Sequence, residues 1–311
     1  MEEPANVSSI LTLQGYNLPP DTVIPAFLFA SLGYMIILFC NLLLIITIVG
    51  NKSLHQPMYL LLLNLPINDL IGTTALFPQM IKQILLDVKT LPHSSCVTQA
   101  FFLHVYGTGT VLILSAMAYD RYIAICCPLK YNVIMTNSHL MKVITVMWLT
   151  NLTLISVLFY LLLRLPRCRS LMVHTYCDNP SLLTLVCADT SINNIYGLFT
   201  TALTQVIANG TVLYTYLQIL VACFRNKGSD TKTKALQTCA THLIVFLLLE
   251  SLGLFTIISS RIKNIPPDLR RLIGVSTLMF PPTVNPIIYG IKTKEIRERV
   301  IHMFKSKIFP S

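Results

Sequence analysis

Two pairs of charged residues sit where charge is expensive. Asp120 and Arg121 are neighbours at the edge of a long apolar run, within Met117-Ala118-Tyr119-Asp120-Arg121-Tyr122-Ile123-Ala124-Ile125-Cys126-Cys127-Pro128-Leu129. An acid and an arginine side by side can neutralise each other, and an arginine released from that pairing can face a partner. The plainer alternative is an arginine that simply extends its head group into water. Glu250 and Arg261 form the second pair. If their segment is helical, Glu250, Leu254, Ile257 and Arg261 share one stripe, and the rise of a helix puts acid and arginine about 16 Å apart. One small amino acid cannot span that gap. Arg261 suits a carboxylate or other anion held through paired hydrogen bonds, or is an arginine solvated at an interface. Glu250 suits a ligand amine, a pairing with His104, or a hydrogen bond inside the fold.

A third group is polar without net charge. Pro281-Pro282-Thr283-Val284-Asn285-Pro286-Ile287-Ile288-Tyr289 places an amide beside a proline in apolar surroundings. A proline inside a helix frees a carbonyl, so the chain can bend there, and Asn285 is expected to satisfy displaced backbone groups. Asp69 and Asn41, also in apolar runs, are its natural partners. The alternative is that these groups only bind helices together.

Of nine cysteines, Cys96, Cys168, Cys177 and Cys187 fall on one side of the chain's expected topology. Four thiols in an oxidising compartment allow two disulfides in three connectivities. Cys96–Cys177 would pin a long loop over the helices, and Cys168–Cys187 would close that loop on itself. Cys40, Cys126, Cys127, Cys223 and Cys239 are expected to be unpaired. No Cys/His grouping has zinc spacing, and neither Ser115 with His104 nor Glu250 with Asp69 has a recognisable catalytic spacing. No metal, cofactor, catalytic residue or nucleic-acid partner is expected.

The elements that position these groups follow from composition. Of 311 residues, 54% are hydrophobic and 12% charged, with a mean hydropathy of +0.66. That charge is about half of what a soluble domain carries, so a water-soluble enzyme is excluded, as are disordered and fibrous chains. Charged residues fence off seven apolar runs: Asp21–Lys52, Lys52–Lys82 (holding Asp69), Lys89–Asp120, Lys142–Arg164, Asp189–Arg225, Lys234–Arg261 (holding Glu250) and Arg271–Lys292. Each is long enough to cross a bilayer as a helix, and none alternates as a barrel strand would. The expected fold class is therefore an all-α membrane protein, a seven-helix bundle in one domain over residues 1–311. Residues 1–24 lie outside, 25–290 form the bundle and 291–311 the cytoplasmic tail. Of 23 Lys and Arg, 14 fall on the side of the C-terminus and 9 on the other, which favours a cytoplasmic C-terminus. Asn6-Val7-Ser8 is a glycosylation sequon on the predicted outer side. Triplets at Asn51, Asn151 and Asn209 are discounted because they fall in spans or on the inner side. Residues 1–24 are acidic and lack an apolar core, so no cleavable signal peptide is expected. In the tail, Ile296, Val300, Met303 and Phe304 recur at helical spacing, which predicts a short amphipathic helix on the membrane.

These strings, in this order, resemble those of rhodopsin-like G-protein-coupled receptors, and more narrowly odorant receptors. Besides Met117–Leu129 and Pro281–Tyr289, the resemblance rests on Pro57-Met58-Tyr59-Leu60, Asn64-Leu65, Asp69-Leu70 and Lys234-Ala235-Leu236-Gln237-Thr238-Cys239-Ala240-Thr241-His242-Leu243. The last string separates odorant receptors from other rhodopsin-like receptors. His104 and Arg261 are similar to the fish-like (class I) branch, and Trp148 matches the family's tryptophan in span four. The resemblance implies an outer pocket between spans three, five, six and seven. His104, Ile155, Leu158, Gly197, Thr201, Glu250, Leu254, Ile257 and Arg261 are its candidate ligand contacts. It also implies switch and coupling roles for Asn41, Asp69, Asp120, Arg121, Tyr122, Tyr216, His242, Asn285, Pro286 and Tyr289, and a stimulatory heterotrimeric G protein. The small-molecule odorant is either an acid held by Arg261 and His104 or an amine or polar solute held by Glu250. Membrane lipid is the remaining partner, drawn to the cationic inner loop and tail. Three departures stand out: Cys127 replaces a usual histidine, Thr110 replaces a frequent glutamate, and Glu250 replaces a usual aromatic. Span six has no proline, leaving Gly253 as its soft point. The rival readings are a non-olfactory receptor of the same fold and a transporter or channel, which would favour duplicated halves and paired broken helices not found here.

Overall fold

The computed structural model describes residues 9–308, apart from Asn17, Val173, 226–229 and 260–266. Long helices follow one another in sequence: α1 (Pro20–Gly50), α2 (Pro57–Leu86), α3 (His93–Cys126), a one-turn α4 (Tyr131–Ile134), α5 (Asn137–Leu163), a short α6 (Asn179–Leu183), α7 (Ser191–Arg225), α8 (Asp230–Ser259), α9 (Pro267–Lys292) and α10 (Lys294–Ile308). Among the described residues, six of these are long and apolar enough to cross a membrane, and α8 adds the shorter apolar stretch Leu243–Thr256. Together α1, α2, α3, α5, α7, α8 and α9 form the expected seven-helix bundle. Helices suit this medium because they satisfy every interior backbone hydrogen bond within one segment. Large apolar side chains such as Phe29, Ile195 and Val206 point outward, which water would not tolerate in such number and lipid does.

The helix ends are set by local chemistry. Proline occupies the first turn of α1 and α2, where its missing N–H costs nothing. Thr136 caps α5 by accepting from the His139 backbone N–H, and Asp178 with Ser181 forms a reciprocal capping box at α6. Asp87 ends α2 in the left-handed region, φ 46°, a conformation that aspartate tolerates better than most residues.

At one end, two disulfides join Cys96 to Cys177 and Cys168 to Cys187, with Cα–Cα separations of 5.4 and 5.8 Å. Cys40, Cys126, Cys127 and Cys223 are unpaired. The same end carries a three-stranded sheet that the sequence reading did not anticipate. Its central strand β1 (Ile10–Leu13) pairs antiparallel with β2 (Thr90–Pro92) and parallel with β3 (Leu171–Met172). Leu11, Leu13 and Met172 are fully buried beneath it, so the segment before α1 is built into the roof of the bundle. At the opposite end α10 buries Ile296 and turns Val300 toward the core.

Helices approach one another closely where α2, α3 and α5 meet. A Cβ on Gly109 would collide with Asn68 Oδ1, and one on Gly72 would enter the Tyr106 ring. The close approach lets Asn68 donate to the Tyr106 carbonyl and Thr110 Oγ1, each at 2.9 Å, and lets Asn151 donate to the Val105 carbonyl at 2.9 Å. Trp148 Nε1 reaches Asn64 Oδ1 at 2.9 Å.

Candidate functional site

Three polar sites are stacked along the bundle. The first lies at the disulfide end, a cavity of ≈ 300 Å³ between α3, α5, α7, α8 and α9 under the loop that carries Cys177. His104, Ile155, Leu158, Gly197 and Thr201 all line it. They come from three helices. His104 Nδ1 bonds the Ala100 carbonyl at 2.8 Å. Since a carbonyl can only accept, Nδ1 carries the hydrogen and a neutral ring leaves Nε2 as an acceptor. Threonines supply most of the other polar surface, but their hydrogens are largely committed to their own helices: Thr201 to Gly197, Thr204 to Thr200 and Thr256 to Leu252. The loop contributes Tyr176, Asp178 and Asn179. Tyr176 lies against Gly274 of α9, where any Cβ would strike its hydroxyl. Burial, with Asp178 and Tyr16 adding to it, holds that hydroxyl above its usual range.

The expected stripe on α8 needs correction. Leu254 is 40% exposed and faces outward, while Gly253 and Thr256 supply the cavity wall. Helical phase explains this: a neighbouring residue is turned by about 100°, so the inward stripe runs Phe246, Glu250, Gly253 and Thr256. Glu250 is buried but does not line the cavity. It sits one turn deeper, facing the side-chain amides of Asn209 and Gln205 without a well-formed hydrogen bond to either. Gln205 does line the cavity and separates it from the acid. The Ile257 side chain, Arg261 and Asn6 lie outside the described residues, as does the side chain of His242.

The second site is at mid-bundle. Pro286 has no N–H to give the carbonyl four residues back, which is that of Pro282. Asn41 of α1 donates to that carbonyl at 2.9 Å and also to the Ile37 carbonyl at 2.9 Å. The expectation that Asn285 would satisfy the freed backbone is therefore corrected. Asn285 donates instead to Asp69 Oδ2 at 3.1 Å. Asp69, Asn41 and Asn285 are all buried, so α1, α2 and α9 are tied together through the proline break. The Tyr289 hydroxyl is buried below them with no hydrogen bond among the described residues.

The third site is at the far end. Arg121 Nη2 contacts Asp120 Oδ2 at 2.6 Å, and the Tyr131 hydroxyl donates to Asp120 Oδ1 at 2.8 Å. Both oxygens of an almost fully buried carboxylate are thus held. Burial, with Asp120 beside it, pushes the Tyr131 hydroxyl's pKa well above its usual range. Tyr131 escaped the sequence reading, although it lies two residues past the string that ends at Leu129. Tyr122 meets Tyr214 edge-on at 5.9 Å, and Tyr216 is buried in the adjoining core with Phe246.

A capped cavity at one end, a proline-broken polar centre and an acid–arginine clamp at the other define a seven-helix receptor of the rhodopsin type. The fold agrees with squid rhodopsin, which superposes with a TM-score of 0.71 over 92% of this chain and 86% of that one at 16% identity. The olfactory receptor family model matches residues 30–307. Human olfactory receptor 52B2 is 36% identical over 87% of this chain and 84% of its own length, and human olfactory receptor 52K1 is 35% identical over 88% of each. The chain belongs to the olfactory receptor family. It is a multi-pass plasma-membrane protein, not an enzyme, whose family binds small-molecule odorants and couples to G proteins.

Proposed function

We propose that the odorant binds in the ≈ 300 Å³ cavity, contacting His104, Ile155, Leu158, Gly197 and Thr201. The observation that carries this reading is convergence: these five residues come from three helices, and they wall a space directly beneath the loop tethered by Cys96–Cys177. A ligand shifts the receptor's equilibrium only by its preference for the active arrangement. In this reading the shift passes through Asn41, Asp69, Asn285, Pro286 and Tyr289 to the inner ends of α3, α7 and α8. There Arg121 leaves Asp120, and with Tyr122, Tyr216 and His242 it forms part of a docking face for a stimulatory heterotrimeric G protein. Arg225, Lys227, Lys232 and Lys234, with six further cations in the tail, suit both that partner and anionic lipid. The N-terminus lies outside the cell, with a glycan on Asn6, and the C-terminus is cytoplasmic; the excess of Lys and Arg on the latter side supports this.

Arg261 and Glu250 remain the two charged candidates for ligand selection, and Glu250 lies beneath the cavity. Arg261→Ala and Glu250→Gln, each screened against small acids and amines in a cyclic-AMP assay, test them. Loss of acid responses in the first, or of amine responses in the second, supports the assignment. If neither substitution alters any response, neither residue selects the ligand.

A further inference from the structure

The roof of the cavity has a chemistry that neither charged candidate explains. Asn193 Nδ2 donates to the Leu158 carbonyl at 2.9 Å. That fixes Asn193 Oδ1 as the acceptor for Asn179 Nδ2 at 3.0 Å, and so fixes the orientation of Asn179 as well. Asn179 Oδ1 is then left buried, on a residue only 6% exposed, without any hydrogen bond among the described residues. A buried acceptor without a donor is costly, and this one belongs to a residue that lines the cavity. Beside it, Asp178 uses Oδ1 for the α6 capping box, leaving Oδ2 uncommitted to the cap. His104 lines the same cavity as Asp178, and its Nε2 is the ring's remaining acceptor.

Three acceptors of different origin therefore belong to residues that line one cavity. Below them the threonine hydroxyls have largely spent their hydrogens and present lone pairs. No lysine or arginine is among the described lining residues, and Asp178 is the one acid among them. Such a field repels a carboxylate and attracts a cation. The lower walls are apolar, with Leu103, Val111, Ile155 and Leu158. The volume equals that of roughly ten waters, which suits a ligand of roughly ten non-hydrogen atoms.

We propose that the cavity receives a primary alkyl amine, its ammonium held under the roof by Asp178 Oδ2, Asn179 Oδ1 and His104 Nε2, with its alkyl chain directed down between α3 and α5. An ammonium has three N–H donors and no acceptor, which matches this set. The proposal rests on the cavity being the odorant site, and it moves the acidic contact from Glu250 to Asp178.

The test expresses the full-length receptor in cells and records cyclic-AMP dose–response curves for straight-chain primary amines from butylamine to octylamine. Carboxylic acids and alcohols of equal length run in parallel, and surface levels are read by antibody. Asp178→Asn keeps an N-cap acceptor and removes the charge. It raises the amine EC50 by roughly tenfold or more while alcohol responses change little. Asn179→Asp, which adds charge at the same roof, lowers the amine EC50. Gly197→Leu fills the cavity and abolishes responses to every active class. If acids activate the receptor, amines do not, and Gly197→Leu still silences the acids, the cavity stands as the odorant site and the amine assignment is overturned. Amine responses unchanged by both roof substitutions overturn it equally. Amine responses that survive Gly197→Leu at normal surface levels overturn the cavity itself, and the amine assignment with it.

Discussion

At the scale of single residues, the decisive feature is how few polar atoms hold so much. Asp120 is bound on one oxygen by Arg121 and on the other by Tyr131. A hydrogen bond to a charged carboxylate contributes about 1.5–3 kcal/mol, enough to shift a resting equilibrium roughly tenfold or more. Tyr131→Phe deletes the bond and keeps the ring, so ligand-free cyclic AMP rises severalfold at equal surface expression. An unchanged baseline would show that Tyr131 does not hold the resting state. Asn41 acts differently, because it repairs a defect made by Pro286. Asn41→Ala leaves the Pro282 carbonyl buried without its donor, at about 1–3 kcal/mol, and the detergent-solubilised receptor then melts several degrees lower. Replacing Pro286 with alanine in the same background restores a backbone donor for that carbonyl and recovers part of the loss. The sequence showed that Asn41, Asp69 and Asn285 belonged together. It did not show which amide met which acceptor, because that depends on the relative rotation of helices more than 200 residues apart in the chain.

At the scale of elements, the long helices were legible because a charge in hydrocarbon is costly, so Lys, Arg, Asp and Glu mark their ends. Helical phase was less legible. A stripe through Glu250 and Arg261 carries Leu254 onto the wall only if both charges face the cavity. The structure places Gly253 and Thr256 there. The roof sheet could not be read at all: β1 has four residues, and its partners lie about 80 and 160 positions away. Local pattern carries no information about such pairings. The contact between α2 and α3 makes a sharp test of helix spacing. Gly72→Val drives two methyl groups into the Tyr106 ring; overpacking of this sort costs about 1–3 kcal/mol, and surface expression falls. Gly107→Ala on the same helix as Tyr106 meets nothing within 4 Å and leaves expression unchanged. Equal losses from both would mean that any side chain added to these helices is harmful, whatever its contacts.

At the scale of the whole molecule, the bundle separates a polar cavity from an acid–arginine clamp and joins them through a helix that lacks one backbone hydrogen bond at Pro286. Hydrophobic composition and seven charge-bounded runs made the membrane fold readable in the sequence. The strings around Asp120 and Asn285 made the receptor class readable. What was not readable was the cavity's chemical sense, because Asp178 and Asn179 sit in a loop whose position depends on Cys96–Cys177 and on the capping of α6. The central claim is that occupancy of the cavity controls the clamp at the far end. Its most direct measurement is ligand-evoked cyclic AMP in cells expressing wild type, Gly197→Leu and Arg121→Ala at matched surface density. The expected result is a response in wild type that is lost in both variants, one by blocked entry and the other by lost coupling. A full agonist response in Gly197→Leu would contradict it.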